Sequence, residues 1–175
     1  DTATTEIYTS LFVGSVNVYK RQVRKEPAGA EYRKKLQSLY QGNRIMIPSP
    51  IVTGLHVCHD VKIDAGTTEV TLTRIFYDLP SPIYPGLTRP FWAFASMHGP
   101  IGIGILSFFV MTLDEQTVVY SMEHPIEFKD RFSAAYFRLK LHRFRFPKAG
   151  RYEIMMMVDD EIIAQRTFHV SASGV

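Results

Sequence analysis

Residues 135–170 read AYFRLKLHRFRFPKAGRYEIMMMVDDEIIAQRTFHV, and this stretch decides the fold class. Phe137, Leu139 and Leu141 alternate with Arg138, Lys140 and His142, the period of two that marks a strand with one face turned to a core. The phase then slips by one, so that Phe144 and Phe146 alternate with Arg143 and Arg145; a bulge near His142-Arg143 is expected. Phe146-Pro147-Lys148-Ala149-Gly150 supplies a turn. Tyr152, Ile154, Met156 and Val158 then line one face of a second strand. Asp159, Asp160 and Glu161 reverse the chain, and Ile162, Ala164, Phe168 and Val170 line the return, so the segment predicts a closing hairpin. Arg166 interrupts that apolar face.

Upstream the same texture continues. From residue 51 onward short β-prone runs alternate with turn residues, at 52–63, 68–77, 91–97, 102–113 and 117–122, followed by 135–146, 152–158 and 162–170. Many short strands with no intervening helical period predict an antiparallel sandwich. Pro48-Ser49-Pro50 separates this region from a different one, because proline continues neither a helix nor a central strand. The chain therefore divides into an arm, 1–50, and a β-sandwich domain, 51–175. In the arm, Ile7, Leu11, Val13, Val16, Val18 and Tyr19 predict short strands, and a basic segment covers 20–25. Tyr32, Leu36, Leu39 and Tyr40 recur at helical spacing, which predicts one short helix over about 30–41 that Gly42 caps.

At 175 residues, with 46% hydrophobic and 21% charged residues, the composition is that of an ordinary folded domain. Twenty basic against 17 acidic side chains leave a net charge of +3, too small to demand a polyanionic partner. Cys58 is the one cysteine, so no disulfide forms within the chain. The apolar stretch 101–113 is broken by Gly102, Gly104, Ser107 and Thr112 and falls short of a bilayer span, so no membrane insertion is expected. The sequence opens at Asp1, which fits cleavage of a leader and simple trimming equally; the compartment stays open.

Ala149-Gly150-Arg151-Tyr152 resembles the turn and tyrosine of immunoglobulin-like sandwiches, in which the tyrosine hydroxyl bonds back to a neighbouring corner. The paired cysteines of that fold are missing. The stretch from Phe146-Pro147 to Val170 resembles a group of uncharacterised bacterial sandwich proteins. That resemblance implies an immunoglobulin-like, mainly β fold and carries no activity.

Chemistry is harder to find. His56, Cys58 and Asp60 share one strand face and His59 the other, so the densest ligand set converges poorly and neither a metal nor another cofactor is expected. Cys58 served by His56 or His59, with His98 as a distant base, makes a cysteine nucleophile the least favoured of three functions; a small buried residue explains Cys58 as well. No G-x-S-x-G elbow occurs. Gly99, Gly102 and Gly104 lack the lysine and helix of a phosphate loop and suit close sheet packing instead. Asp114-Glu115 and Asp159-Asp160-Glu161 are turn residues. No catalytic residue is assigned.

Two surfaces remain. Arg138, Lys140, Arg143 and Arg145 on one strand, with Arg33 and Lys34 in the arm, form a basic set flanked by aromatics that would suit a single-stranded nucleic acid. Alternating cations also mark an ordinary exposed or edge strand, so nucleic acid is not favoured. Met155 and Met157 lie opposite Tyr152, Ile154, Met156 and Val158, which makes both faces of that strand apolar; Phe108, Phe109 and Val110 repeat the signal. Something must cover the outer face. The leading expectation is a non-catalytic interaction or assembly module that binds a protein partner or itself.

Overall fold

The computed structural model describes residues 4–10, 16–19, 49–81, 84–129, 134–142 and 144–172. The expected helix at 30–41, the basic segment 20–25, and Arg33, Lys34 and Arg143 lie outside them.

Thirteen strands are described: β1 (Thr4–Ser10), β2 (Val16–Tyr19), β3 (Ile51–Ile63), β4 (Val70–Ile75), β5 (Asp78–Ser81), β6 (Gly86–Leu87), β7 (Phe91–His98), β8 (Gly102–Thr112), β9 (Val118–Phe128), β10 (Ala135–Leu141), β11 (Arg145–Phe146), β12 (Gly150–Val158) and β13 (Glu161–Ala172). Six form one sheet in the order β2-β1-β10-β7-β3-β4, and five form the other in the order β5-β13-β12-β8-β9. We call them sheets A and B. Their inner faces meet in one apolar core, so the fold is the sandwich the alternation predicts.

The alternation is obeyed closely. Phe137, Leu139 and Leu141 are buried on β10, and Tyr152, Ile154, Met156 and Val158 on β12. Opposite the latter four, the β8 register sets Thr112, Val110, Phe108 and Leu106, all buried. Aromatics fill the space between the sheets: the Phe146 ring lies 4.7 Å from Tyr152 and 4.6 Å from Phe144, and Phe108 lies 5.4 Å from Phe137 across the core. Edge-to-face and tilted pairs at such spacings add to what burial alone contributes.

One turn shows how the closing hairpin is set. Asp159 and Asp160 both have positive φ, 48° and 72°, and Val158 pairs with Glu161, so the reversal is a two-residue loop of the kind whose twist matches its strands. Asp159 Oδ1 accepts the Ile105 N–H at 3.0 Å, tying the loop to β8. A side chain at Gly104 would come within 3.0 Å of Val158 Cγ1 and 3.1 Å of Asp159 Oδ2; close packing is what this glycine permits.

Three expectations need correction. Arg138 and Lys140 do not sit on an edge strand, because β10 lies between β1 and β7, with Tyr8 opposite Arg138 and Glu6 opposite Lys140. The segment 135–146 is not one bulged strand either: β10 ends at Leu141, and Arg145–Phe146 pairs with Gly86–Leu87 in a separate two-stranded ladder. The phase slip therefore records a departure from sheet A that still delivers Phe144 and Phe146 to the core. Sheet B is also not wholly antiparallel, since β5 runs parallel to the end of β13 from His169 to Ala172.

Candidate functional site

Over part of their length β3 and β13 lack a second ladder partner among the described residues, and these two edges face one another. From Ile51 to His56, β3 is hydrogen-bonded to β7; its ladder with β4 starts only at Cys58. From Glu161 to Phe168, β13 pairs with β12, and β5 joins it only from His169 onward. The lateral seam between these edges is closed by side chains. Ser49 Oγ donates to the Glu161 carboxylate at one end. Farther along, Arg166 Nη1 donates to the Leu55 carbonyl at 3.0 Å.

Arg166 reaches this position because it occupies an inward register position on β13, opposite Ile154, where its neighbours Phe168 and Val170 are buried. Its guanidinium carbon stands 4.7 Å from the centre of the Tyr77 ring, a cation–π contact. Tyr77 itself is 69% exposed and forms the solvent side of the enclosure. Arg166 Nε and Nη2 are buried without a hydrogen-bond partner, and so is His56 Nδ1. Burial lowers the His56 pKa from its ordinary 6.5, and the Arg166 charge lowers it further. A buried guanidinium normally finds a carboxylate, and none among the described residues pairs with this one.

A second surface lies on the outer face of sheet B. Met155 and Met157 are half-buried there, and the register places Phe109 beside Met155 and Ser107 beside Met157. Met111 and Ile105 continue the β8 row. Ile103, Val118 and Ile162, at 45%, 44% and 55% exposure, occupy outward positions around it. The apolar part of the face follows β8 and the Met155–Met157 end of β12, with Ser107 between them and Glu153, Gln165 and Thr167 toward one side. Of the other apolar residues flagged in sequence, Phe108 and Val110 turn inward and are fully buried, while Phe109 turns outward.

The basic residues do not form one stripe. Arg138 and Lys140 share the outer face of sheet A, where Lys140 Nζ lies 5.5 Å from the Trp92 ring centre. Arg145 belongs to the separate β6–β11 ladder. Cys58 is fully buried among Val61, Trp92 and Phe94. Burial first, then the Asp60 charge, pushes its thiol up to about 11, opposite to what a nucleophile needs. The His59 ring lies tilted against Phe76, centres 5.2 Å apart. Among the described residues no three His, Cys, Asp or Glu side chains gather as a metal site requires.

Sequence reading found Met155, Met157 and the irregularity at Arg166, but not the seam. The one available signal was that irregularity, a charge at an inward position.

The Tyr152 hydroxyl donates to the Lys148 carbonyl at 2.7 Å and accepts the Lys148 N–H at 3.4 Å, the corner bond that its sequence context suggests. Solved structures with a similar course of chain include the alkylpurine DNA glycosylase AlkC of Pseudomonas fluorescens, 8% identical, with a TM-score of 0.41 over 67% of this chain. The chain spans 30% of that glycosylase's length. An immunoglobulin-like protein from Pseudomonas aeruginosa is 14% identical, with a TM-score of 0.39 over 71% of this chain and 98% of its own. The CooA pilin subunit of enterotoxigenic Escherichia coli is 10% identical, with a TM-score of 0.25 over 66% of this chain and 94% of its own. No curated protein matches the sequence. The model of a family of unknown function, DUF6941, matches residues 54–171, and the chain belongs to that family.

Proposed function

We propose that this protein is a non-catalytic interaction or assembly module that contacts a protein surface, a second copy of itself or another chain, through the outer face of sheet B. The observation that carries this is the apolar row of Met155, Met157, Phe109, Met111 and Ile105 on central strands, continued by exposed Ile103, Val118 and Ile162. A sandwich whose outer face stays wet normally alternates apolar inward and polar outward. Here Ile103, Ile105, Phe109 and Met111 on β8 and Met155 and Met157 on β12 are apolar outward positions, and adjoining apolar surface of this kind marks interaction sites. Division of the chain into an arm, 1–50, and a sandwich, 51–175, belongs to the same proposal. Polyanion binding draws less support, because Arg145 stands apart from Arg138 and Lys140.

The test is the solution mass of the parent chain and of the variants Met155→Lys and Phe109→Lys, by light scattering after size exclusion. An oligomeric parent and monomeric, folded variants are expected if the partner is a second copy. A monomeric parent sends the same variants into a partner screen as negative controls. A monomer whose solubility and bound partners are unchanged by both substitutions overturns the proposal.

A further inference from the structure

We propose that the lateral seam between β3 and β13 holds a carboxylate-binding site, in which the Nε–Nη2 edge of the Arg166 guanidinium grips the two oxygens of a ligand carboxylate side by side. This is a different surface from the outer face of sheet B, and it stands or falls separately.

The geometry begins with the donor inventory of the side chain. A guanidinium carries five N–H bonds in a rigid plane. In Arg166 the Nη1 side is committed to Leu55 O at 3.0 Å. The two nitrogens without a partner, Nε and Nη2, are neighbours on one edge of the plane. Their parallel N–H bonds match the spacing of two carboxylate oxygens, which is why arginine is the residue for this planar recognition.

The surroundings hold that edge fixed. The Leu55 hydrogen bond anchors one side of the fork, and the Tyr77 ring covers its face at 4.7 Å. Pre-orientation of this kind lowers the entropy lost on binding. Because Nε and Nη2 are already out of water, they have paid for desolvation before any ligand arrives, and a charge-assisted pair recovers that cost. Native structures rarely leave such donors unmatched without a role for them. Among the described residues no acid fills the place: Glu161 is taken by Ser49, and Asp78 accepts from His169 Nδ1 at 3.1 Å and Ser171 Oγ at 3.0 Å. Tyr77, at 69% exposure, is the open side of the enclosure.

Carboxylate can come from a free small acid or from the end of a partner's chain. The shared chemistry is the same, and the probes separate the two. The measurement is a titration of the full chain at pH 7 and constant ionic strength, with sodium acetate exchanged for sodium chloride, following the Arg166 Nε–H resonance by two-dimensional NMR. A saturable displacement in the millimolar range is expected. In parallel, the His56 pKa, read from its imidazole protons, rises, because a bound anion neutralises the Arg166 charge that adds to burial in opposing its protonation.

Trialanine with a free C-terminus and its C-terminal amide form the second arm. Tighter binding of the free peptide than of acetate assigns the site to a chain end; acetate binding without peptide binding assigns it to a small acid. Arg166→Lys keeps the charge, removes the paired edge, and is expected to abolish saturation. Should that variant not fold, the parent titration and the His56 readout decide alone. Three results overturn the proposal: a response that does not saturate or equals that of chloride, equal binding of the peptide amide, or a saturable His56 response retained in a folded Arg166→Lys protein.

Discussion

Replacing Tyr152 by phenylalanine isolates one bond in the corner that joins β11 to β12. The ring stays: it is fully buried, edge-on to Phe146 at 4.7 Å and tilted on Phe168 at 6.0 Å, and phenylalanine fills the same volume. What disappears is the hydroxyl, which donates to Lys148 O at 2.7 Å and accepts from Lys148 N at 3.4 Å. The first is short and strong; the second lies at the long limit and contributes little. A net hydrogen bond is worth ~0.5–1.5 kcal/mol, and leaving a partner unsatisfied raises the cost to ~1–3 kcal/mol. Lys148 is half-buried, so water reaches part of the vacated carbonyl, and about 1–2 kcal/mol is the expected loss. For a chain of this length each kcal/mol moves Tm by ~2–4 °C, which gives a drop of about 2–8 °C. Urea unfolding at pH 7 should show the loss in midpoint with an unchanged m-value, since no surface is added or removed. The difference should also narrow in alkali. Burial raises the Tyr152 pKa above its ordinary 10.0, so the unfolded parent ionises first, and the parent loses stability as pH rises from about 10 towards the folded pKa, a loss the variant lacks. A Tm within 1 °C of the parent's would refute the corner as a stabilising element and leave the ring as its whole contribution.

The remaining predictions concern the middle of β3 and the hairpin of sheet B. Cys58 should resist iodoacetamide at pH 8 in the native protein and react at once in urea; and because its thiol is held up to about 11 against an ordinary 9.0, stability should fall between those two values as the unfolded chain gains thiolate first. Fast native alkylation would restore Cys58 as a nucleophile. The lowered His56 pKa has the opposite sense: the neutral ring favours the fold above 6.5, and stability declines as pH falls from 6.5 to the folded value, then ceases to respond. Denaturant midpoints of His56→Gln across pH 4–8 should lack that step. Gly104→Ala would press its methyl to 3.0 Å from Val158 Cγ1, and overpacking of this degree costs ~1–3 kcal/mol; an unchanged midpoint would show that the hairpin yields freely.

Legibility in the sequence followed the strength of local physics. Period-two alternation placed β10 and β12 and their inward residues, because a buried face dictates residue type at every second position; on β13 it placed Ala164, Phe168 and Val170 but not Ile162, which the register shift at Met156/Met157 turns outward to 55% exposure. The Asp159-Asp160 reversal was equally visible, since two short polar residues tolerate the positive φ of a two-residue loop. By contrast, β5 is four residues, Asp78-Leu79-Pro80-Ser81, with a proline inside it, and nothing local announces that it pairs parallel to a strand 91 residues later. The same limit hid the status of β10. Alternating cations read alike on an edge and on an inner strand, and only pairing with β1 tells them apart. Met155 and Met157 were legible as outward apolar residues because they break the alternation that their own strand otherwise keeps.

The seam fell outside that reach for a specific reason. Ladder hydrogen bonds are non-local, so no window of sequence shows that, among the described residues, β3 lacks a second ladder partner before Cys58 and β13 before His169. What sequence does show is Arg166 at an inward position between apolar neighbours, a placement that costs several kcal/mol if the charge stays unpaired. Apolar side chains of similar length would fill the position without that cost. The guanidinium does bridge the two sheets through Leu55 O, yet one N–H suffices for that bond, and a bridging role leaves Nε and Nη2 without purpose. A purely structural arginine would be expected either to satisfy its whole fork or to give way to methionine. Arg166 does neither, and the energetic surplus it carries is the form that a binding group takes before its ligand is present.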